Sequence, residues 1–206
     1  KKDHYTKGHS ERVGALALRT GMELGVSGED LQLLEWSAVL HDVGKIGVPE
    51  AILQKAGRLT SEEFAIVKRH VLDGAAILRR TPGMTALAPV VAFEHHLKQD
   101  LSGYPENIGV RQLNACTLIV SIADTFDGLR SHRPYRHGLA TSRIRAMMDQ
   151  SDSPAFHRPL LTRFVAMVGC FPVGSLVRLV SGELGVVTAE RPDNPLKPQV
   201  AVIATP

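Results

Sequence analysis

Long apolar runs, basic clusters and cysteines are all scarce in this chain of 206 residues. No apolar run reaches the roughly 18 residues that a membrane-spanning helix needs, so the sequence predicts no membrane span. No run of Lys and Arg exceeds two, and the formal net charge is only +3. A nucleic-acid groove requires a clustered basic surface, so we expect no DNA partner.

The cysteines and the first residues bear on the cellular compartment. Cys116 and Cys170 are the two cysteines, and each follows or precedes apolar residues. In a cytosolic domain, buried thiols are favoured over a disulfide. The opening Lys1-Lys2-Asp3-His4 leads into polar residues and is unlike a signal peptide. We therefore predict a cytoplasmic domain.

Apolar residues recur at helical spacing over most of the chain, and the period changes near its end. Ser27 to Asp30 and Thr60 to Glu63 read as capping boxes that begin helices. We expect the helix that follows Thr60 to carry His70 in its middle, on an otherwise apolar side. After Gly169, short β-branched runs alternate with Gly and Pro-Asp turns, which is typical of small antiparallel sheets. We predict a mainly α protein, with a helical bundle over residues 1–170 and a small β appendage over residues 171–206.

Histidines and aspartates recur at the ends of predicted helices or inside apolar segments. A buried carboxylate without a partner is very costly, and a metal ion is an economical partner. Imidazole and carboxylate together suit divalent Fe, Mn, Zn or Co. Taken singly, each residue has an ordinary explanation as a hydrogen-bonded core histidine or a capping aspartate. Four separate helices present them, which favours a metal site formed by His41, Asp42, His70, His95, His96 and Asp124.

Several short motifs follow one another in a specific order. They are His41-Asp42-Val43-Gly44-Lys45-Ile46-Gly47, Lys68-Arg69-His70, His95-His96, Ser102-Gly103-Tyr104-Pro105, Ile122 to Asp127 and Arg133-Pro134-Tyr135-Arg136. In order and spacing they resemble the HD-GYP subfamily of the HD superfamily of phosphohydrolases. The opening Tyr5 to Val13 fits the first helix of that subfamily, and the resemblance spans about Asp3 to Pro172.

The resemblance implies a bacterial cyclic di-GMP phosphodiesterase on an HD-type all-α bundle. It implies two divalent metal ions, Fe or Mn most readily, with Zn, Co and Ni as further candidates. One ion would be held by His9, His41, Asp42 and Asp124. Asp42 would bridge to a second ion held by His70, His95 and His96.

The resemblance also implies roles in the reaction. Lys45 would contact the scissile phosphate, and Arg133 and Arg136 would contact the ligand. We expect Asp42 and Lys45 to be catalytic, since a hydroxide shared by the two ions would attack phosphorus while Lys45 stabilises the developing charge. The product would be linear pGpG, GMP or both.

The sequence departs from the subfamily at three positions. Tyr5 replaces a glutamate that supports a third metal in some relatives, and a phenol is a poor ligand at neutral pH, so we predict two metals. Leu97 replaces the glutamate after the paired histidines, and Leu101 replaces a glycine of the loop.

These departures leave alternatives open. The chain could act on another nucleotide, including a mixed cyclic dinucleotide, or could be a non-catalytic module that binds cyclic dinucleotide or metal. For partners, the resemblance implies a GGDEF-type or other signalling protein at the Gly103-Tyr104-Pro105 loop, and a homodimer is a further option. The position of the first motif and the organisation of relatives also imply that the chain is part of a longer protein, with an upstream regulatory domain outside it.

Overall fold

The computed structural model describes residues 4–106, 108–109, 112–131, 138–149, 155–169, 171–189, 191 and 197–205, with the backbone alone for residues 4–7. The described part is mainly helical, as predicted. In chain order it contains α1 (His4–Glu23), α2 (Gly28–Leu40), the 3-10 helix Val43–Gly47, α3 (Glu50–Leu53), α4 (Ser61–Lys68), α5 (His70–Arg80), α6 (Leu87–Glu94), α7 (Ala115–Arg130), α8 (Thr141–Asp149), α9 (Arg158–Val168), β1 (Leu176–Arg178), β2 (Leu184–Ala189) and β3 (Gln199–Ala204).

The two predicted capping boxes differ in the structure. Before α4, the Thr60 hydroxyl accepts from the Glu63 amide at 3.2 Å, and the Glu63 carboxylate accepts from the Thr60 amide at 2.7 Å. Helix α2 also begins where expected, but the Ser27 side chain makes no capping hydrogen bond. Only the first motif is therefore a complete capping box.

The helix predicted around His70 is divided in two. At Arg69 the amide donates to the carbonyl of Ile66, three residues back, at 3.2 Å. This tighter bond separates α4 from α5, because an α-helix uses bonds four residues back. His70 therefore begins α5 and does not lie in the middle of a helix, which corrects the prediction.

Helix α7 forms the centre of the bundle. Its buried residues recur at helical spacing, with Ile119, Ile122, Ala123 and Phe126 each at most 3% exposed. They belong to one core cluster with residues of α1, α2 and α9, and the ring of Phe126 lies 5.3 Å from that of Phe164. This packing fixes α1 and α2 against the helix that carries Asp124.

A glycine pair lets the 3-10 helix approach α5 closely. A Cβ on Gly44 would lie 2.0 Å from the carbonyl oxygen of His70 and 2.5 Å from the amide nitrogen of Gly74. Real Cβ atoms do not approach backbone this closely, so the contact requires glycine. It brings the segment that carries Asp42 and Lys45 against the start of α5.

The predicted β appendage is present as a three-stranded antiparallel sheet in the order β1-β2-β3. Leu176 pairs with Val186, and Val186 pairs with Ala201. Val187 of β2 is 1% exposed and belongs to the buried core. The division of the chain into residues 1–170 and 171–206 stays a prediction.

Two expectations about composition can be placed on the structure. None of the described helices combines the length and apolar character needed to cross a bilayer. Cys116 is half-buried and carries a free thiol, whereas Cys170 lies outside the described residues.

Candidate metal centre

The predicted ligand side chains converge inside the bundle. Helix α1 contributes His9, the residues after α2 contribute His41 and Asp42, α5 contributes His70, the residues after α6 contribute His95 and His96, and α7 contributes Asp124. Burial is nearly complete, because the exposed fraction is at most 4% for His9, His41, Asp42, His70 and His95. The structure thus brings together the side chains that the sequence singled out as ligands. Their binding of metal ions stays a prediction.

Four of these residues form what we call the His70 half, which consists of Asp42, His70, His95 and His96. One candidate ligand atom from each lies within 4.8 Å of the others. The Nε2 atom of His70 lies 3.3 Å from Asp42 Oδ1 and 3.3 Å from His95 Nε2. The distance from His95 Nε2 to Asp42 Oδ1 is 3.7 Å.

The His9 half consists of His9, His41, Asp42 and Asp124. One ligand atom from each of the first three lies within 4.8 Å of the others. His9 Nε2 lies 3.8 Å from Asp42 Oδ2, and His41 Nε2 lies 3.4 Å from the same oxygen. Asp124 Oδ1 lies 3.1 Å from His9 Nε2 and 3.9 Å from His41 Nε2. Asp42 thus faces the His70 half with Oδ1 and the His9 half with Oδ2.

Hydrogen bonds on the outer side fix the tautomers of three imidazoles. A carbonyl oxygen can only accept, so the Nδ1 atom that faces it carries the proton and the Nε2 lone pair points into the centre. Each acceptor is the carbonyl oxygen three residues back, in the last turn of the helix that precedes the histidine. The pairs are His41 with Ala38 at 2.6 Å, His70 with Val67 at 2.7 Å and His95 with Ala92 at 3.0 Å.

Two buried polar atoms in the centre have no hydrogen-bond partner among the described residues. They are His41 Nε2 and Asp42 Oδ1. An unsatisfied buried polar atom costs about 1–3 kcal/mol, more when it is charged. A divalent cation would satisfy both atoms at once, because neutral imidazole and carboxylate are the ligands it takes. The residues present therefore fit a metal ion.

The pKa values differ between the two halves. Burial lowers the pKa of His70 to about 4 and also lowers the pKa of His95 and of His96. Burial opposes protonation of His9 as well, but hydrogen bonds to Asp124 and Asp127 outweigh it and raise its pKa to about 9. Neutral imidazole is the form that ligates metal, so the His70 half is already in that form at neutral pH.

The charge of Asp42 is balanced by a neighbouring cation. Burial raises its pKa, but the neighbouring charge of Lys45 outweighs burial and holds the pKa of Asp42 well below its usual range. Lys45 Nζ lies 2.5 Å from Asp42 Oδ2, and its side chain is 26% exposed. Lys45 therefore lies between the buried carboxylate and solvent, and its predicted contact with the scissile phosphate stays a prediction.

Other predicted site residues are not described. Arg133 and Arg136 lie outside the described residues, and so does the side chain of Tyr5. The ligand contacts predicted for the two arginines and the two-metal count argued from Tyr5 stay predictions.

The loop after His96 retains its glycine-type geometry despite a substitution. Leu101 has φ 65°, a left-handed conformation that non-glycine residues rarely adopt. The Asp100 carboxylate accepts from the Ser102 amide at 3.0 Å and from its hydroxyl at 2.7 Å, which holds the turn. A Cβ on Gly103 would lie 2.2 Å from the His96 carbonyl oxygen, so this glycine is required.

The other substitution in this loop is buried. Leu97, which stands in place of a glutamate, is 2% exposed and forms a β-bridge with Gly103. The ring of Tyr104 then lies 4.5 Å from the His96 ring. Tyr104 also lines a surface groove of about 670 Å³ with Lys68, Arg69 and Phe93, among others. Partner contact at this loop stays a prediction.

From sequence, no role was assigned to three polar residues beside the centre, which are Asp127, Arg12 and Glu94. The Asp127 carboxylate accepts from His9 Nδ1 at 2.7 Å and from Arg12 Nε at 2.7 Å. Glu94, 2% exposed, accepts from the Thr117 hydroxyl at 2.9 Å near the start of α7. Spacing could have found the first two, since Arg12 follows His9 and Asp127 follows Asp124 by three residues, on one helical face.

Comparisons with known proteins agree with this geometry. A family model described as an HD domain matches residues 1–156. A Pseudomonas aeruginosa protein named cyclic di-GMP phosphodiesterase is 36% identical over 201 residues, which cover 97% of this chain and 48% of that protein. A Vibrio cholerae protein named 3′3′-cGAMP-specific phosphodiesterase 3 is 37% identical over 150 residues, which cover 73% of this chain and 32% of that protein. The chain thus spans about half the length or less of these relatives.

A solved structure shares the fold. An HDGYP protein from Bdellovibrio bacteriovorus superposes with a TM-score of 0.64 at 19% identity, covering 77% of this chain and 51% of that chain. At this identity the likeness concerns the fold alone. The HD-type helical bundle predicted from the sequence is confirmed.

Proposed function

The chain belongs to the HD domain family, and from that membership we propose that it is a metal-dependent phosphodiesterase that hydrolyses a cyclic dinucleotide, with cyclic di-GMP as the substrate. A relative named for that activity is 36% identical over nearly the whole chain, which supports the substrate class. A relative named for 3′3′-cGAMP keeps a mixed cyclic dinucleotide as the second candidate.

One observation carries the proposal. Asp42 presents Oδ1 to His70 Nε2 at 3.3 Å and Oδ2 to His41 Nε2 at 3.4 Å. A carboxylate shared between two sets of imidazoles is an arrangement suited to a pair of divalent ions. Two of the atoms at this junction, His41 Nε2 and Asp42 Oδ1, are buried and lack hydrogen-bond partners among the described residues. A non-catalytic binding module would not need such a junction.

The chain's own residues would then divide the chemistry. When bound, the ions supply Lewis acidity toward a phosphoryl oxygen and lower the pKa of water. Asp42 holds the two halves together, and its low pKa keeps it ionised. The Lys45 ammonium, which is partly exposed, would contact the scissile phosphate and stabilise its developing negative charge. We propose Fe or Mn at both positions because the resemblance to the HD-GYP subfamily favours them, with Zn, Co and Ni as further candidates for mixed imidazole and carboxylate ligands.

The direct test combines metal content with product analysis on the same protein. Metal-free protein would be loaded with Fe²⁺ or Mn²⁺ and incubated separately with cyclic di-GMP, 3′3′-cGAMP and cyclic di-AMP. We expect two ions per chain and formation of pGpG or GMP from cyclic di-GMP at the highest kcat/KM. Higher kcat/KM for 3′3′-cGAMP would reassign the substrate.

Two variants separate catalysis from binding. Asp42→Ala should lose both ions and all turnover, because it removes the ligand shared by the two halves. Lys45→Ala should keep both ions and lose turnover. An Asp42→Ala protein with two ions and a normal rate would refute the metal mechanism. Wild-type protein that binds cyclic di-GMP and two ions without releasing product would establish the binding module instead.

A further inference from the structure

Asp127 is a buried carboxylate beside the candidate metal centre, on the side of His9 that faces away from the other ligands. It lies on α7, three residues after Asp124, and is 2% exposed. Its Oδ1 accepts from Arg12 Nε at 2.7 Å. Its Oδ2 faces His9 Nδ1 at 2.7 Å and accepts from Arg12 Nη2 at 3.0 Å and Ser131 Oγ at 3.1 Å.

These contacts exclude Asp127 as a ligand in this arrangement. Both of its oxygens already receive hydrogen bonds from side chains of α1 or from Ser131. The nitrogen of His9 that it contacts is Nδ1, whereas Nε2 faces Asp124 at 3.1 Å. The imidazole of His9 therefore stands between Asp127 and the interior of the centre.

The contact determines which nitrogen of His9 can bind an ion. The Asp127 carboxylate accepts the Nδ1 proton, so Nε2, which lies on the side of Asp124 and Asp42, is the nitrogen that can lose its proton and bind an ion. The Arg12 guanidinium lies 2.7 Å from the Asp127 carboxylate, and this ion pair favours the ionised form of the carboxyl group that faces His9. The charge of the acceptor matters as well. An imidazole that donates its outer hydrogen bond to a carboxylate binds a metal more strongly than one that donates to a neutral carbonyl.

Arg12 holds this carboxylate in place. It makes a two-point contact from Nε and Nη2, a geometry that fixes the carboxylate plane. The guanidinium also donates to Ser131 Oγ at 2.9 Å. His9 and Arg12 both lie on α1, so a single carboxylate fastens α1 to α7 beside Asp124.

We propose that Asp127, held by Arg12, is a positioning residue that orients His9 and selectively strengthens metal binding in the His9 half. The inference rests on the metal-dependent function proposed above. The His70 half does not depend on this contact, because His70 and His95 are oriented by the carbonyls of Val67 and Ala92.

The test is a metal titration of Asp127→Asn. Metal-free protein would be titrated with Mn²⁺ against a competing chelator, with bound ion followed by electron paramagnetic resonance. Loss of an outer partner of a ligating histidine typically costs about 10–100-fold in metal affinity. We expect that loss for one ion and an unchanged affinity for the other. The two binding steps of the titration are assigned to the halves with His70→Ala. Because Asp42 belongs to both halves, both ions could be affected, and the ion whose affinity falls more in this variant is the ion of the His70 half.

A matched control and a second variant guard against a general loss of stability. Glu63→Gln makes the same carboxylate-to-amide change at the capping box of α4, away from the centre, and should leave both affinities unchanged. Arg12→Ala keeps Asp127 but removes the two hydrogen bonds that hold its carboxylate. It should lower the affinity for the same ion, by less than Asp127→Asn does. In ¹H–¹⁵N NMR of protein loaded with diamagnetic Zn²⁺, the signal of the His9 Nδ1 proton should move upfield in Asp127→Asn, because its acceptor loses charge.

The outcomes are distinct from those of the proposed function. Equal weakening of both ions in Asp127→Asn, or no weakening of either, would overturn the inference even if cyclic di-GMP is hydrolysed. Selective loss of one ion in a protein without hydrolytic activity would support the inference and reject the proposed function. If Asp127→Asn does not fold, Arg12→Ala decides by the same criterion.

Discussion

In the His70 half of the metal centre, imidazoles are oriented by backbone carbonyls three residues back, whereas in the His9 half His9 is oriented by a carboxylate 118 residues further along the chain. The local carbonyls are neutral, and burial then dominates and lowers the pKa of His70 to about 4. The distant carboxylates are charged, and they raise the pKa of His9 to about 9.

The difference shows two ways to prepare a histidine for metal. A histidine just after a helix donates its outer hydrogen bond to a carbonyl oxygen three residues back, so local folding suffices to orient it. A histidine that relies on another helix is oriented only when the two helices are packed. The His9 half is therefore the one that should respond to changes in tertiary structure. The predictions below alter one half, the connection between the halves or the loop beside the His70 half.

The largest effect should come from Gly44→Ala, which acts where the two halves join. The added Cβ would lie 2.0 Å from the His70 carbonyl oxygen, so the 3-10 helix must move away from α5. Overpacking against backbone should cost about 3 kcal/mol. Thermal denaturation and metal analysis should show a lower Tm and loss of both ions. Gly57→Ala is the control, since a Cβ there meets nothing within 4 Å.

His70→Ala should separate the halves. His70 contacts Asp42 Oδ1 at 3.3 Å, so its removal takes a ligand from one half while His9, His41 and Asp124 remain. We expect the affinity for one ion to fall by more than the roughly 100-fold upper range seen for outer partners. Mn²⁺ titration measures this. Loss of both ions to the same degree would show that the halves are a single unit.

The free energy of unfolding of the metal-free protein should depend on pH in two ways, because the pKa of His70 is lowered and the pKa of His9 is raised. An unfolded histidine titrates near 6.5. Since the folded pKa of His70 is about 4, its contribution lowers stability as the pH falls from about 6.5 to 4. The folded pKa of His9 is about 9, so its stabilising contribution is complete below about pH 6.5 and is lost as the pH rises to 9.

Urea denaturation of metal-free protein across this pH range tests the assignment. His70→Ala should reduce the slope of stability between pH 4 and 6.5, and His9→Ala should reduce the slope between pH 6.5 and 9. The contrast between the halves does not hold if His70→Ala changes the slope between pH 6.5 and 9, or if His9→Ala changes the slope between pH 4 and 6.5.

The smallest effect should come from Leu101, in the loop beside the His70 half. Its φ of 65° is unfavourable by about 1–2 kcal/mol for an ordinary side chain. Asn tolerates this conformation, so Leu101→Asn should raise the Tm slightly, equivalent to about 1 kcal/mol, with metal affinity unchanged. Leu101→Gly should gain less, because glycine loses more conformational entropy on folding. A lower Tm in both variants would mean that the leucine side chain contributes packing that outweighs the strain.

Much of the fold could be predicted because its signals are local. The Thr60 capping box and the apolar spacing along α7 predicted helices that the structure contains. The division at Arg69 was not predicted, because it depends on a change of hydrogen-bond spacing that carries no composition signal. The missing capping bond of Ser27 is likewise a matter of side-chain orientation.

For the centre, the types and order of the residues identified His41, Asp42, His70 and the paired histidines. The role of Asp127 was not identified, although it stands within the same motif as Asp124. From sequence, a second aspartate three residues later can be a ligand, a cap or a salt-bridge partner. Only its distance to His9 Nδ1 distinguishes these roles.

By itself, the sequence determined the helical architecture, the small β appendage and the set of imidazoles and carboxylates that meet in the bundle. The tertiary structure decided which oxygen of Asp42 faces which half, which nitrogen of each histidine points inward, and that Asp127 lies behind His9. The physical reason is range. Helix periodicity and capping act within a few residues, whereas the orientation of a ligand depends on contacts of about 3 Å between helices that are far apart in the chain.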